Sequence, residues 1–226
     1  VIKRAFDLVM AALGLLLLSP LLVLIALGIK MDGRGPILFY QARVGLGGGL
    51  FKIYKFRTMV PASAKGGPLI TRGGDPRITR IGRLLRRLKL DELPQLWNVL
   101  FGDMSFVGPR PEVPKYVALY DARQRAVLDL KPGITDLASI VFRNEEEILR
   151  GAEDSEKAYV DYCLPRKIEL NLEYARCATF WRDVLTILQT IFPPLARATV
   201  GSEWQEHAVI LNVGDAPRSK EAPSSL

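Results

Sequence analysis

LVMAALGLLLLSPLLVLIALGI, residues 8–29, is a run of 22 residues without a charge. A straight helix rises about 1.5 Å per residue, so a run of this length reaches across a hydrocarbon core of about 30 Å. It is too long for a signal-peptide core and has no A-x-A-like cleavage site, so it is expected in the mature protein. The simple reading is one transmembrane helix. Ser19-Pro20, almost at the centre, opens a second reading. Proline removes a backbone hydrogen bond and clashes with the preceding turn, so the helix should bend there, and each half then reaches only half the bilayer. The Ser19 hydroxyl is placed to take up part of the bonding that Pro20 releases. Cations flank both ends, Lys3 and Arg4 before and Lys30 and Arg34 after. The positive-inside tendency therefore prefers neither end and suits both on one face. A helix that spans and one that enters, bends and leaves by the same face both stand open, because kinked spanning helices are common.

Outward from this run the chain changes character. Its 226 residues suffice for one domain with a core plus an anchor. Hydrophobic residues make up 49% and charged residues 24%, which describes one apolar segment attached to a charged body. A net charge of +7 points to an anionic partner: phosphorylated ligands, acidic headgroups or nucleic acid. Cys163 and Cys177 form no CxxC pair and read as packed free thiols. The single histidine, His207, lies in a tail-like region, which excludes a Ser-His-Asp triad or a histidine-rich zinc site in the body. Acid-base or nucleophilic work there falls to carboxylates, lysines or hydroxyls.

Residues 37–44 and 50–59, rich in aromatic and β-branched side chains, predict a hairpin around Gly45-Leu46-Gly47-Gly48-Gly49. A nucleotide loop fails on pattern, since Leu50 stands where G-x-G-x-x-G needs glycine and no G-K-[ST] follows. From Arg43 to Lys89 there are twelve Lys/Arg and one acid, Asp75. Such a stretch suits a face on anionic lipid, and arginine forks at fixed positions would add a phosphate cleft. Residues 78–90, ITRIGRLLRRLKL, have the helical spacing of an interfacial amphipathic helix. The charge then reverses at Asp91-Glu92, just before Pro94 and an apolar helical pattern. Acids there read as helix-capping groups. The cationic stretch before them and the loop GPRP (108–111) after them allow another role. A carboxylate beside fixed arginines should keep a low pKa and serve as nucleophile or magnesium ligand.

KFRTM (55–59), ITRIGRLLRR (78–87), LDELPQLWNVLFGDMSFVGPRPE (90–112) and KPGIT (131–135) follow one another in order. With Lys3, Arg4, Asp7 and Ser19-Pro20 ahead of them, the chain closely resembles the monotopic phosphoglycosyl transferases, a family of bacterial sugar transferases, over residues 3 to 192. The resemblance implies a mainly α-helical α+β fold: a re-entrant membrane helix hairpin bent at Ser19 and Pro20, interfacial amphipathic helices and a small β-hairpin. It also implies a reaction in which a sugar 1-phosphate passes from a UDP-sugar to a polyprenol phosphate through an aspartyl-phosphosugar, releasing UMP. Asp91 would be nucleophile and Mg²⁺ contact, and Glu92 would orient or deprotonate the acceptor. Arg86, Arg110 and Arg143, with Lys55, would hold phosphate or nucleotide. Implied partners are the UDP-sugar, the polyprenol phosphate, anionic membrane lipid and a second copy of the chain, at the cytoplasmic face of the inner membrane.

Many family members read PGITG where this chain has Asp136, and the acids Glu145, Glu146 and Glu147 are also unlike the commoner pattern. The acidic run marks either a different sugar preference or a solvated helix start. Residues 1–35 are expected to be the anchor and 36–194 the catalytic domain, with an amphipathic helix near 181–188 ended by Pro193-Pro194. Residues 195–226 form an extension whose end, DAPRSKEAPSSL, has a disordered composition. Two alternatives remain at this stage, a spanning transferase with direct attack by the lipid phosphate and a non-catalytic basic membrane adaptor. Nucleic-acid binding is disfavoured by the lack of aromatic-interleaved basic stripes.

Overall fold

The computed structural model describes residues 2–60, 71, 74–150, 152 and 154–195, with side chains for all of these but 147, 148 and 150. The expected disordered extension and residues 61–70 of the basic stretch lie outside them.

The apolar run forms α1 (Ile2–Asp32), a helix of 31 residues with Pro20 inside it rather than between two elements. It is long and apolar enough to cross a membrane. Pro20 has no N–H for the carbonyl four residues back, and the Ser19 hydroxyl donates to that Leu16 carbonyl at 2.7 Å. The middle of α1 touches little, with Leu16 and Leu17 70% and 74% exposed.

Both ends of α1 are fastened to the body. At the start, Lys3 donates to the Val107 carbonyl at 2.9 Å and pairs with Asp183. Arg4 donates to the carbonyls of Val99 and Leu100 at 2.6 and 3.0 Å, and Asp7 accepts from the Phe106 N–H at 3.2 Å. At the far end, the buried Arg57 donates to the carbonyls of Ile29, Gly33 and Arg34 at 3.0, 2.7 and 2.9 Å. Ile29 carries one of the last four carbonyls of α1, which a helix leaves unpaired, and Gly33 and Arg34 follow its end. Asp32 accepts from the Ile81 N–H at 3.0 Å.

The expected hairpin is β1 (Leu38–Val44) and β2 (Leu50–Phe56), antiparallel with Leu38 opposite Phe56 and Val44 opposite Leu50. Its turn needs glycine at Gly47 and Gly48, whose φ angles are 64° and 80°. The basic amphipathic segment becomes α2 (Arg80–Arg87), capped by Thr79, whose hydroxyl accepts from the Gly82 N–H at 3.1 Å. Its Leu85 is buried, whereas Leu84 and Leu88 face outward.

After α3 (Gln95–Phe101) the chain enters β3 (Ser105–Val107), which pairs in parallel with β4 (Gly133–Thr135). GPRP thereby lies flush on KPGIT. A Cβ on Gly108 would stand 2.2 Å from the Lys131 carbonyl oxygen, and one on Gly133 2.2 Å from the Gly108 nitrogen. Glycine is required at both by backbone approach alone.

The rest of the body is helical: α4 (Pro114–Val117), α5 (Leu137–Val141), α6 (Glu145–Arg150), α7 (Ser155–Ala158), α8 (Leu164–Arg176) and α9 (Phe180–Ile191). The expected C-terminal amphipathic helix is thus α9, which leaves Trp181, Leu188 and Ile191 exposed. Among the described residues the core has three clusters. One joins α4, α5 and α8 around Tyr116, Phe142 and Ile168. The other two hold α1, through Ala11 against Val99 and Met104, and through Ile25 and Ile29 against Phe56 and Leu85. Each fully buried aliphatic side chain is worth about 1.5–3 kcal/mol, so α1 is packed as part of the body as well as hydrogen-bonded to it.

Candidate active site

Asp91 and Glu92 lie on a single helical turn, Leu90–Glu92, between α2 and α3. Neither caps a helix: no side chain caps this turn, and none caps α3. The first-turn position read from the sequence holds, since both acids stand in the first turn of Leu90–Glu92, but neither makes a capping bond there.

Glu92 is the clamped member. Arg110 reaches it with both terminal nitrogens, one at 2.9 Å from Oε2 and the other on Oε1, and Lys55 from β2 donates to Oε1 at 3.0 Å. This is a fork on a carboxylate with a second cation on the same oxygen. Burial pushes the Glu92 carboxyl up, but the Arg110 and Lys55 charges and hydrogen bonds outweigh it and hold the group well below the usual carboxylate range. The Glu92 charge in turn raises Arg110 above its ordinary value.

Asp91 is different. It is 7% exposed, and no described residue donates a hydrogen bond to it. Burial first, and the neighbouring Glu92 charge second, raise its carboxyl above the ordinary value, with Lys55, Arg86 and Arg110 offsetting part of the rise. The expected low pKa beside fixed arginines is corrected here. The nearest cations are spent on Glu92, and Asp91 is left buried next to a like charge.

Arg110 is itself held from behind. Its backbone N–H donates to Asp136 Oδ2 at 3.1 Å, and the same oxygen accepts from Asn171 of α8 at 2.8 Å. Asp136 Oδ1 caps α5 by accepting from the Ser139 N–H at 2.6 Å. The sequence marked Asp136 only as a departure from pattern, and nothing in its spacing pointed to Arg110. Arg57 was likewise quoted in a motif without its role at the end of α1. Asn98 is a third such residue: its side chain accepts from the Tyr54 N–H at 3.1 Å and donates to the Lys52 carbonyl at 2.7 Å, holding α3 on β2.

A cavity of about 210 Å³ adjoins the clamp. Arg86 and Arg110 line it, whereas Asp91 and Glu92 do not. Arg86 Nη1 stands 3.5 Å from Glu146. Arg143, in the turn before α6, is exposed and is not part of the lining. The fold thus brings Asp91, Glu92, Lys55, Arg86 and Arg110 together and leaves Arg143 apart.

Among the described residues no three His, Cys, Asp or Glu side chains form a metal cluster. Mg²⁺ is commonly held by one or two carboxylates plus substrate phosphates. Asp91, a carboxylate without a hydrogen-bond donor among the described residues, fits that mode, and Glu92, already clamped, does not.

The family model described as bacterial sugar transferase matches residues 1–197. A Komagataeibacter xylinus protein, undecaprenyl-phosphate glucose phosphotransferase, is 45% identical over 196 residues, covering 84% of this chain and 35% of that protein. A Caulobacter vibrioides UDP-glucose:undecaprenyl-phosphate glucose-1-phosphate transferase is 41% identical over 202 residues, covering 84% of this chain and 68% of that protein. An Aeromonas hydrophila UDP-N-acetylgalactosamine-undecaprenyl-phosphate N-acetylgalactosaminephosphotransferase is 38% identical over 193 residues, covering 84% and 43%. The chain thus spans between about a third and two thirds of the length of these curated relatives.

Proposed function

This chain belongs to the bacterial sugar transferase family, and on that premise we propose that it moves a sugar 1-phosphate from a UDP-sugar to a polyprenol phosphate of the undecaprenyl type, through a covalent aspartyl intermediate. The observation that carries the reading is the contrast within one dipeptide: Glu92 bound by two cations, Asp91 beside it buried and without a donor among the described residues.

In this reading an Asp91 oxygen attacks the phosphorus that bears the sugar. The bond from that phosphorus to the UMP oxygen breaks, and UMP leaves with the electron pair. An oxygen of the polyprenol phosphate then attacks the aspartyl phosphorus, giving a polyprenyl diphosphate sugar and restoring the Asp91 carboxylate. A carboxylate with few hydrogen bonds is the better nucleophile because little must be broken before it reacts. Glu92 works through Arg110 and Lys55, fixing a fork and an ammonium where the diphosphate lies. With Arg86, which also stands 3.5 Å from Glu146, three cations gather around the two acids and suit anionic substrates. Asp91 would hold Mg²⁺, which when bound spreads the charge developing on the diphosphate.

The lipid substrate places the reaction at a membrane surface, here the cytoplasmic face of the inner membrane, where α1 is the anchor. Its topology is read as re-entrant. A straight helix of 31 residues is about 45 Å long, yet both of its ends bind one body, through Arg57 at one end and through Val99, Phe106 and Val107 at the other. An anchor crossing to the far side would carry one of those ends away. The outward Leu84 of α2 and Leu88 just past its end, set among arginines, suit an anionic lipid surface.

The test uses the full chain in nanodiscs with UDP-glucose and no lipid acceptor. Expected is UMP release of at most one equivalent and an intact-protein mass raised by one hexose phosphate, removed when undecaprenyl phosphate is added. Turnover only with both substrates present, and no adduct at any time, would indicate direct attack and overturn the covalent route.

A further inference from the structure

The cavity behind Arg110 has no part in the steps above, although it opens beside them. Its charges are largely matched: Arg43 stands 3.2 Å from Glu112, Lys167 stands 2.9 Å from Glu145, and Arg86 faces Glu146. A diphosphate inside would break those pairs. The polar groups left open on its wall are single atoms. Asn171, 5% exposed, spends its amide N–H on Asp136, which fixes the amide orientation and leaves Oδ1 without a donor among the described residues. Arg43 Nε and Arg86 Nη1 have no hydrogen-bond acceptor among them, and Tyr120 lines the same wall. Val127 and Leu164 supply an apolar side. A buried acceptor without a donor costs about 1–3 kcal/mol, a cost that a ligand hydroxyl removes.

A ligand with both donors and acceptors, apolar C–H faces and no charge matches this wall. The volume of about 210 Å³ is below the roughly 300–1,000 Å³ of pockets that take whole ligands, so one moiety enters. Arg110 belongs both to the cavity and to the Glu92 clamp, so the moiety is bonded to the phosphate held there. The named relatives share undecaprenyl phosphate and differ in glucose or N-acetylgalactosamine.

Resting on the transferase reading, we propose that this cavity receives the sugar ring, and that Asn171 and Tyr120 determine which sugar is accepted, Asn171 Oδ1 by accepting from a ring hydroxyl. Asp136 connects the two tasks, since one carboxylate oxygen positions both Arg110 and Asn171.

The test compares the full chain with Asn171→Ala and, as a substitution the fold tolerates more easily, Tyr120→Phe. UMP release is measured with UDP-glucose, UDP-galactose and their N-acetylamino counterparts, and inhibition by UMP is measured alongside melting temperature. Loss of one hydrogen bond to the sugar changes the kcat/KM ratio between the two best sugars by about three- to tenfold, while the inhibition constant for UMP stays within about twofold. If the UMP constant rises in step with every KM, the cavity holds the nucleoside and the proposal is wrong. Unchanged sugar ratios with unchanged UMP inhibition in both folded variants would equally overturn it. Wild-type protein that releases no UMP from any of the four sugars would instead sink the transferase reading beneath it.

Discussion

The Ser19 hydroxyl on the Leu16 carbonyl makes a measurable claim about α1. In a regular helix that carbonyl would accept from the N–H of residue 20, and proline has none. Ser19→Ala in the native Pro20 background leaves the carbonyl without a donor. Inside a bilayer no water replaces it. The expected loss is about 1–3 kcal/mol at most, and nearer 0.6–1.7 where an unfolded helix in lipid finds other partners. In a Pro20→Ala background the N–H returns, the carbonyl is paired, and the same Ser19→Ala change should cost almost nothing. Pro20→Ala alone should stabilise the helix by up to about 3 kcal/mol. A double-mutant cycle on unfolding of the chain in nanodiscs reads the coupling directly, and about 0.6–2 kcal/mol is expected, above the usual additivity error of about 0.3–0.5. If the two changes add within that error, Ser19 does not serve Pro20. The chain carrying both Ser19→Ala and Pro20→Ala should be the more stable and the less active. A straightened helix would place residue 3 on the far side, so an impermeant thiol reagent applied to intact cells should label Lys3→Cys there and not in the Ser19-Pro20 background. That labelling is read after Cys163 and Cys177 are replaced.

Three further outcomes follow from the carboxylate pair. Asp91→Asn should lower turnover by on the order of 10⁴ or more. At neutral pH it should also raise the melting temperature, because an acid whose folded pKa is raised is destabilising when ionised. That advantage should vanish as pH falls through the folded Asp91 pKa towards the ordinary aspartate value of 3.8, and a variant no more stable than wild type at pH 7 would contradict the assignment. Arg110→Lys keeps the charge and loses the fork on Glu92, so kcat/KM should fall by about 10²-fold, and unchanged kinetics would count against it. Turnover should stop in excess EDTA and return with Mg²⁺ or Mn²⁺, and full activity in EDTA would remove the metal from the reaction.

Much of this architecture is visible in the chain because it depends on neighbours in sequence. Charge-free residues 8–29 read as one long apolar element, and aromatic and β-branched stretches on either side of five residues of glycine and leucine read as a hairpin. The position of the acidic pair between a basic helix and an apolar one is local too. What the residues could not disclose is which acid the cations choose. Lys55 comes from a strand 37 positions before Glu92 and Arg110 from a loop 18 positions after it. Only their meeting in space decides that Glu92 is neutralised and Asp91 is not. The same holds for Arg57 and Asp136, which act on the backbone of distant segments, and backbone partners leave no mark in side-chain pattern. Arg143 stands exposed in the turn before α6 and, like Asp91 and Glu92, outside the cavity lining.

The fastening of α1 has a consequence for how the chain is made. The partners of its two ends leave the ribosome in a fixed order: Arg57 first, 28 residues after Ile29, and Asp183 last, 180 residues after Lys3. At about 5–20 residues per second, Lys3 waits roughly 10–35 s for its carboxylate. The start of α1 is free only until residues 99–107 follow, when Arg4, Asp7 and Lys3 find their backbone partners. The salt bridge to α9 then closes last, and a chain stalled before residue 183 would be inserted and tied at both ends but without that final contact.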